Sequence, residues 1–170
     1  DFIGTDSIGR EWQVATIQLD VYMPESFDLY CINEKGEKER IVMIHAAIMG
    51  SIERFMSVLI EHYTGAFPVW LSPVQVAVLP ITDQQNKWAD EVDAQLKESG
   101  IRVEINNNNE TLGKKIREAE KQKIPYILVV GEKEANNQSV AVRQRNKGDL
   151  GQMKLEELLK QIVKEVASKK

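Results

Sequence analysis

Between Ala66 and Pro73 the chain reads AFPVWLSP, two prolines bracketing an apolar centre. Proline fixes φ and withholds a backbone donor, so this stretch continues neither a helix nor a central strand. It reads as a stiff, partly buried junction rather than a flexible tether. The hydrophobic pattern changes on either side of it, which divides the chain into residues 1–71 and 72–170.

Before the junction the pattern is that of antiparallel β structure followed by one helix. Over Glu11–Tyr22, Trp12, Val14, Thr16, Gln18 and Asp20 alternate with Gln13, Ala15, Ile17, Leu19 and Val21. The second set is mostly apolar and is expected to meet a core, whereas the first suits a concave polar surface. Pro24 ends the strand. A charged turn at 34–38 precedes a strand beginning over Ile41–Ile44, with His45 closing it. Ser51 caps a helix in which Ile52, Phe55, Met56 and Leu59 fall at helical spacing, ending near Thr64-Gly65. A few strands and one helix over about 70 residues make a poor independent core, so this part is expected to be the edge of a larger sheet.

After the junction strands and helices alternate. VQVAVL (74–79) reads as a buried strand, 83–99 as a helix with Trp88, Val92 and Leu96 on one stripe, and 101–105 as a strand. A basic helix follows over 112–121, then a central strand in PYILVV (125–130), a strand over 140–143 and an amphipathic helix over 155–166. The expected fold class is therefore α/β: an antiparallel remnant joined to a domain with a mixed, mostly parallel sheet flanked by helices.

Composition narrows function only by exclusion. Apolar residues are 42% and charged residues 28% of the 170, the balance of a packable soluble globule. No apolar run approaches the roughly 18 residues that span a bilayer, and with no basic leader visible at Asp1-Phe2-Ile3-Gly4 no secretory signal is expected. The single cysteine, Cys31, forms no internal disulfide and is compatible with a reducing cytosol, so a cytoplasmic location is expected. The net charge of −4 is uneven: residues 1–70 carry five basic and eleven acidic side chains, whereas 114–147 carry nine basic and four acidic. Such a cationic segment suits a phosphate backbone, and equally suits solvated helices.

Individual motifs leave alternatives open. Arg54 shares a helix face with Ser51 and could grip a purine or a polyphosphate, or pair with Glu53 or Glu61. His45 could be a metal ligand, a proton carrier or a hydrogen-bonded core residue, and with only His62 and Cys31 as other soft donors the chain builds no zinc site by itself. No phosphate-binding glycine loop and no Ser/Cys–His pair is present. Residues 109–123 with Pro125-Tyr126 place amides and cations beside a sheet, as a reader of single-stranded RNA needs or as a solvated helix beside a turn would show.

Taken together the motifs are more specific. Asp6-Ser7-Ile8-Gly9-Arg10-Glu11-Trp12-Gln13 with Thr16-Ile17-Gln18-Leu19-Asp20 resembles the late catalytic strands of the threonyl-tRNA synthetases. Met43-Ile44-His45 with Gly50-Ser51-Ile52-Glu53-Arg54-Phe55 resembles the third signature motif of class II synthetases, and the run from Glu61 to Gln75 is similar to that family's passage into its anticodon-binding domain.

The resemblance implies a threonine–tRNA ligase that activates threonine with ATP and Mg2+ and transfers it to tRNA(Thr), here as the end of the catalytic domain (1–71) and the anticodon-binding domain (72–170). It implies that Arg54 contacts ATP, that Gln13 lies in the adenylate site, and that Thr16, Gln18 and Ser51 line the threonine or adenylate pocket. It implies His45 as one of three Zn2+ ligands, a metal that demands the substrate hydroxyl and so rejects valine. It assigns Asn109, Lys123, Glu134 and Arg143 to the anticodon loop, Lys123 standing where an arginine is frequent. A homodimer is implied at full length, with no membrane and no DNA partner. Departures are Val14-Ala15 for Cys-Gly and Ala46 for an arginine. The other zinc ligands and the first two class II motifs are missing, so aminoacylation by this chain alone is not expected. The rival expectation is a non-catalytic synthetase-like accessory or RNA-binding module.

Overall fold

The computed structural model describes residues 1–169 and divides into two compact units, Asp1–Thr64 and a second that begins at Gly65.

The first unit is built on a three-stranded antiparallel sheet in the order β1-β2-β5, where β1 is Phe2–Thr5, β2 is Glu11–Asp20 and β5 is Met43–Ile48. Between β2 and β5 lie a single helical turn, α1 (Met23–Ser26), and a hairpin of β3 (Tyr30–Ile32) with β4 (Lys38–Arg40). Helix α2 (Ile52–Tyr63) follows β5; Ser51 caps it, its Oγ accepting from the Arg54 amide at 3.5 Å. Thr64 takes the left-handed closing conformation (φ 50°) and Gly65 continues in it (φ 74°).

Two expectations for this unit need correction. His45 does not close a strand: it is the third of six residues in β5, because Ala46, Ala47 and Ile48 go on pairing with Ile17, Thr16 and Ala15. The apolar set of β2 meets no core, for Ile17 is 57% and Leu19 75% exposed. Their cross-strand neighbours Ala46 and Ile44 share that face, and Ile44 is 64% exposed as well. Of residues 1–64, Pro24 alone is buried. Pattern made the face apolar, but no element within the unit covers it.

The second unit holds the core. Its five-stranded sheet runs β10-β9-β8-β6-β7, where β6 is Val76–Pro80, β7 Val103–Ile105, β8 Tyr126–Val130, β9 Ser139–Gln144 and β10 Gly148–Lys154. β6 pairs parallel with β7 and β8, and β9 pairs antiparallel with β8 and β10, so β9 alone runs against the other four. Helices α3 (Asn86–Glu98) and α6 (Leu155–Ala167) cover one face, and α4 (Leu112–Lys121) lies on the other. The alternation of β6 is visible in its contacts. Val76 and Val78 pack with Val92, Leu96, Leu158 and Ile162, whereas Ala77 and Leu79 pack with Ala119 and Ile127. The strand is buried on both faces, which is why its sequence is apolar throughout.

β10 and the one-turn helix α5 (Glu132–Asn136) have no counterpart in the sequence reading. GDLGQMK carries two glycines and no alternation; pairing with β9 makes it a strand.

Candidate functional site

In the first unit the residues with chemical potential gather around β2, β5 and the start of α2. Gln18 lies in register with His45, and Thr16 with Ala47, so Thr16, Gln18 and His45 share one sheet face. Across the strands His45 Nε2 lies 2.8 Å from Asp20 Oδ2. Asp20 is itself held by the backbone N–H groups of Tyr22 and Met23, each donating to Oδ1 at 2.9 Å. The Met23 amide is the main reason that the Asp20 carboxyl is held below its ordinary range, with His45 adding to it. Gln18, Asp20, Tyr22 and His45 line an open concavity.

Gln13 is placed differently. Phe2 pairs with Ala15 and Ile3 with Gln13, leaving Val14 without a partner in β1. That bulge breaks simple alternation, so Gln13 is not tied to the face of Thr16 and Gln18. Its side-chain amide donates to the Asp1 carboxylate at 3.0 Å.

Arg54 makes no ion pair among the described residues, and the two carboxylates the sequence offered it, Glu53 and Glu61, have other partners. Ser51 Oγ donates to Glu53 at 2.6 Å, and Arg10 forks onto both oxygens of Glu61 at 3.1 and 2.8 Å. The Arg54 guanidinium instead stands 5.9 Å from the centre of the Trp12 ring, which Arg10 also approaches at 5.5 Å. Asp6 anchors the cluster by accepting from the Trp12 indole at 2.9 Å and from Arg10. Burial opposes ionisation of Asp6, but these hydrogen bonds outweigh it and hold the carboxyl far below its usual value.

No group of three His, Cys, Asp or Glu able to hold a metal occurs among the described residues. His45 and Asp20 by themselves do not make a zinc site.

In the second unit topology separates the four residues assigned to base reading into two pairs. The loops after the parallel strands β7 and β8 emerge at the same, C-terminal edge of the sheet; Asn109 lies in the first and Glu134 just inside the second. Lys123 precedes β8, and Arg143 is in register with Ile127 near the start of that strand, so this pair stands at the opposite edge. About 13 Å of strand separates the two levels.

Each pair has its own local reason. Glu134 Oε2 accepts from the Gly131 amide at 3.0 Å, which closes the turn. A Cβ at Gly131 would come within 2.8 Å of Glu134 Oε2 and 2.9 Å of Ile81 Cδ1, so a larger residue there would displace the ends of those two side chains. Arg143 borders a cavity of about 250 Å³ with Glu120, Ile124, Ile127, Asn146 and Gly148. Asn109 and Lys123 are exposed.

The cationic segment is less available than its charge count suggests. Lys115 is buried, donating to the Pro80 carbonyl at 3.0 Å at the end of β6. Lys114 pairs with Glu110 and lies 3.9 Å from Glu118. Arg145 spends its guanidinium on the carbonyls of Ala66, Phe67 and Lys123. Arg102 does the same for Trp70, Ser72 and Pro73. Two arginines thus bolt the proline-bounded strap onto the second unit. Helical periodicity did not reveal the buried Lys115, and nothing local in the sequence pairs Arg145 with a segment almost 80 residues earlier.

No helix among the described residues is long and apolar enough to cross a membrane.

With this geometry in hand the comparisons are specific. The "Anticodon binding domain" family profile matches residues 75–165, and the "tRNA synthetase class II core domain (G, H, P, S and T)" profile matches residues 1–63. The threonine–tRNA ligase of Acetivibrio thermocellus is 56% identical over 99% of this chain, and that of Carboxydothermus hydrogenoformans 52% identical over all of it. The chain spans about 27% of the length of each. Among solved structures, the RNA binding domain of threonyl-tRNA synthetase from Cryptosporidium parvum Iowa II superposes with a TM-score of 0.83 at 35% identity, covering 95% of this chain and 41% of that one. The prolyl-tRNA synthetase of Cryptosporidium parvum complexed with L-proline and AMP gives 0.69 at 27% identity, covering 95% and 35%. The chain belongs to the threonyl-tRNA synthetase family of class II aminoacyl-tRNA synthetases, carrying part of the class II core and the anticodon-binding domain.

Proposed function

We propose that this chain is the anticodon-recognising part of a threonine–tRNA ligase, and that by itself it binds RNA without catalysing aminoacylation. The reading rests above all on the contrast between its units. The second has a closed core and presents amide, carboxylate and guanidinium groups at its sheet edges, whereas the first has one buried residue. Side chains of these types are what read unpaired bases on their exposed edges. Asn109 and Glu134 serve at the C-terminal edge of the parallel strands, where open α/β sheets characteristically bind ligands. Lys123 and Arg143 serve at the opposite edge. In this reading residues 1–71 would be the end of the catalytic domain and 72–170 the anticodon-binding domain, the strap between them being packed on the second unit, which begins at Gly65.

In the full-length protein the first unit would contribute one wall of the adenylate site. Arg54, which pairs with no carboxylate among the described residues, is suited to ATP phosphates or to its purine. Gln13, Thr16, Gln18 and Ser51 would line the threonine and adenylate pocket. His45 would supply one imidazole to a Zn2+ whose remaining ligands the described residues do not contain. ATP with Mg2+, threonine, a homodimer and a cytoplasmic location belong to that full-length reading. The accessory-module reading is less well supported, since relatives sharing more than half of all residues across the chain are threonine–tRNA ligases.

The test is binding of a threonine tRNA anticodon stem-loop to the 170-residue chain. Affinity should fall steeply with salt, and Asn109→Ala or Arg143→Ala should each cost roughly 5- to 150-fold, equivalent to about 1–3 kcal/mol. Equal affinity for unrelated loops refutes the assignment. Threonine-dependent ATP–pyrophosphate exchange should be absent from the chain and present in the full-length protein.

A further inference from the structure

Among the described residues Arg143 has one ion-pair partner, Asp149, and the hairpin is shaped to put it there. Asp149 on β10 lies directly in register with Arg143 on β9, and the next pairing joins Gly151 to Val142, so Leu150 is an extra, bulged residue. Gly151 takes φ 79°, the left-handed conformation that such a bulge needs. This turn brings the Gly151 amide onto Asp149 Oδ1, to which it donates at 2.8 Å. With one oxygen committed, the carboxylate has a fixed orientation, and its other oxygen, Oδ2, stands 3.7 Å from Arg143 Nη1. That separation is beyond a hydrogen bond, so Asp149 steers the guanidinium without consuming its donors.

We propose that Asp149 is the positioning residue that makes Arg143 selective for a nucleobase edge over a phosphate. The inference rests on the assignment of Arg143 to base reading. A lone arginine in water binds any phosphate that passes, which raises affinity for all RNA alike. A carboxylate fixed beside it offsets that unselective attraction and restricts the guanidinium to one orientation. In that orientation the donor fork meets the acceptor pair of an unpaired base at the mouth of the adjoining cavity. The ligand class is one base of a single-stranded RNA loop.

The experiment compares binding of the threonine anticodon stem-loop and of a loop with an exchanged anticodon to the 170-residue chain and its Asp149→Asn, Asp149→Ser and Arg143→Ala variants. Asn and Ser both keep an oxygen acceptor for the Gly151 amide, so the hairpin is preserved while the charge is removed. Both should tighten binding of the exchanged loop about two- to threefold, steepen the salt dependence, and reduce discrimination about fivefold, the range of an exposed ion pair. A structural role alone would shift both loops equally. If Arg143→Ala removes discrimination while both Asp149 variants keep it in full, the role of Asp149 is overturned and base reading by Arg143 stands. If Arg143→Ala leaves discrimination intact, the base-reading assignment itself falls, and this inference with it.

Discussion

His45 reaches Asp20 across two strands at 2.8 Å, although the residue in register with Asp20 is Met43 and the one in register with His45 is Gln18. The contact is a diagonal one, and Asp20 can make it because the Tyr22 and Met23 amides hold its other oxygen. One ring nitrogen of His45 is thereby occupied, and only the other is open to a ligand. A single open nitrogen gives weak metal binding. Chelation of the 170-residue chain should therefore leave its melting temperature and circular dichroism unchanged, and zinc titration should show no tight stoichiometric complex. A sharp one-to-one zinc transition would contradict this geometry.

Acid should loosen the first unit through Asp6. Its carboxyl is depressed in the folded chain, so its stabilising contribution is complete above the ordinary carboxylate range and is lost as pH falls through and below it. Asp6→Asn keeps an acceptor for the Trp12 indole but loses the ion pair with Arg10. The variant should be less stable at neutral pH and show a flatter acid limb, as followed by tryptophan fluorescence between pH 6 and about pH 2. Parallel acid profiles for the two proteins would rule out Asp6 as the titrating group.

The strap offers a separate handle. Arg145→Ala leaves the carbonyls of Ala66, Phe67 and Lys123 without their shared donor, at a cost of about 1.5–3 kcal/mol. Arg145→Lys should recover only part of this, because an ammonium lacks the planar fork. Limited proteolysis should cut Arg145→Ala near residues 65–73 many times faster than the parent chain. An unchanged cleavage pattern would mean that the prolines alone hold the strap.

Gly131→Ala tests the carboxylate of Glu134 without altering its charge. The added methyl would sit 2.8 Å from Oε2, so the side chain must leave its place on the Gly131 amide. We expect global stability to fall by about 1–2 kcal/mol, and discrimination between cognate and exchanged loops to fall by a larger factor than overall affinity. Intact discrimination would remove Glu134 from the reading surface.

Much of this fold is legible in the sequence wherever a short period is reinforced by burial. The strands around Val76–Pro80 and Tyr126–Val130, the stripe Val92–Leu96 and the basic helix Leu112–Lys121 all stand where periodicity puts them. The fates of Ile17 and Leu19 were not legible. Alternation shows that the two share a face, but burial depends on a covering layer that the first unit does not hold. Charge misled for a related reason: Lys115 and Arg145 count as cations in a sequence, yet packing turns one into a buried tie to Pro80 and the other into a clamp on carbonyls.

Local chemistry thus determined most elements of the second unit and the family, because side-chain period and motif spacing are properties of adjacent residues. Tertiary structure alone decided that Asn109 and Glu134 share one sheet edge while Lys123 and Arg143 occupy the other. It also decided which cations remain available and that Asp149 faces Arg143. Those relations are set by strand direction and register, and hydrogen bonds between distant segments define both.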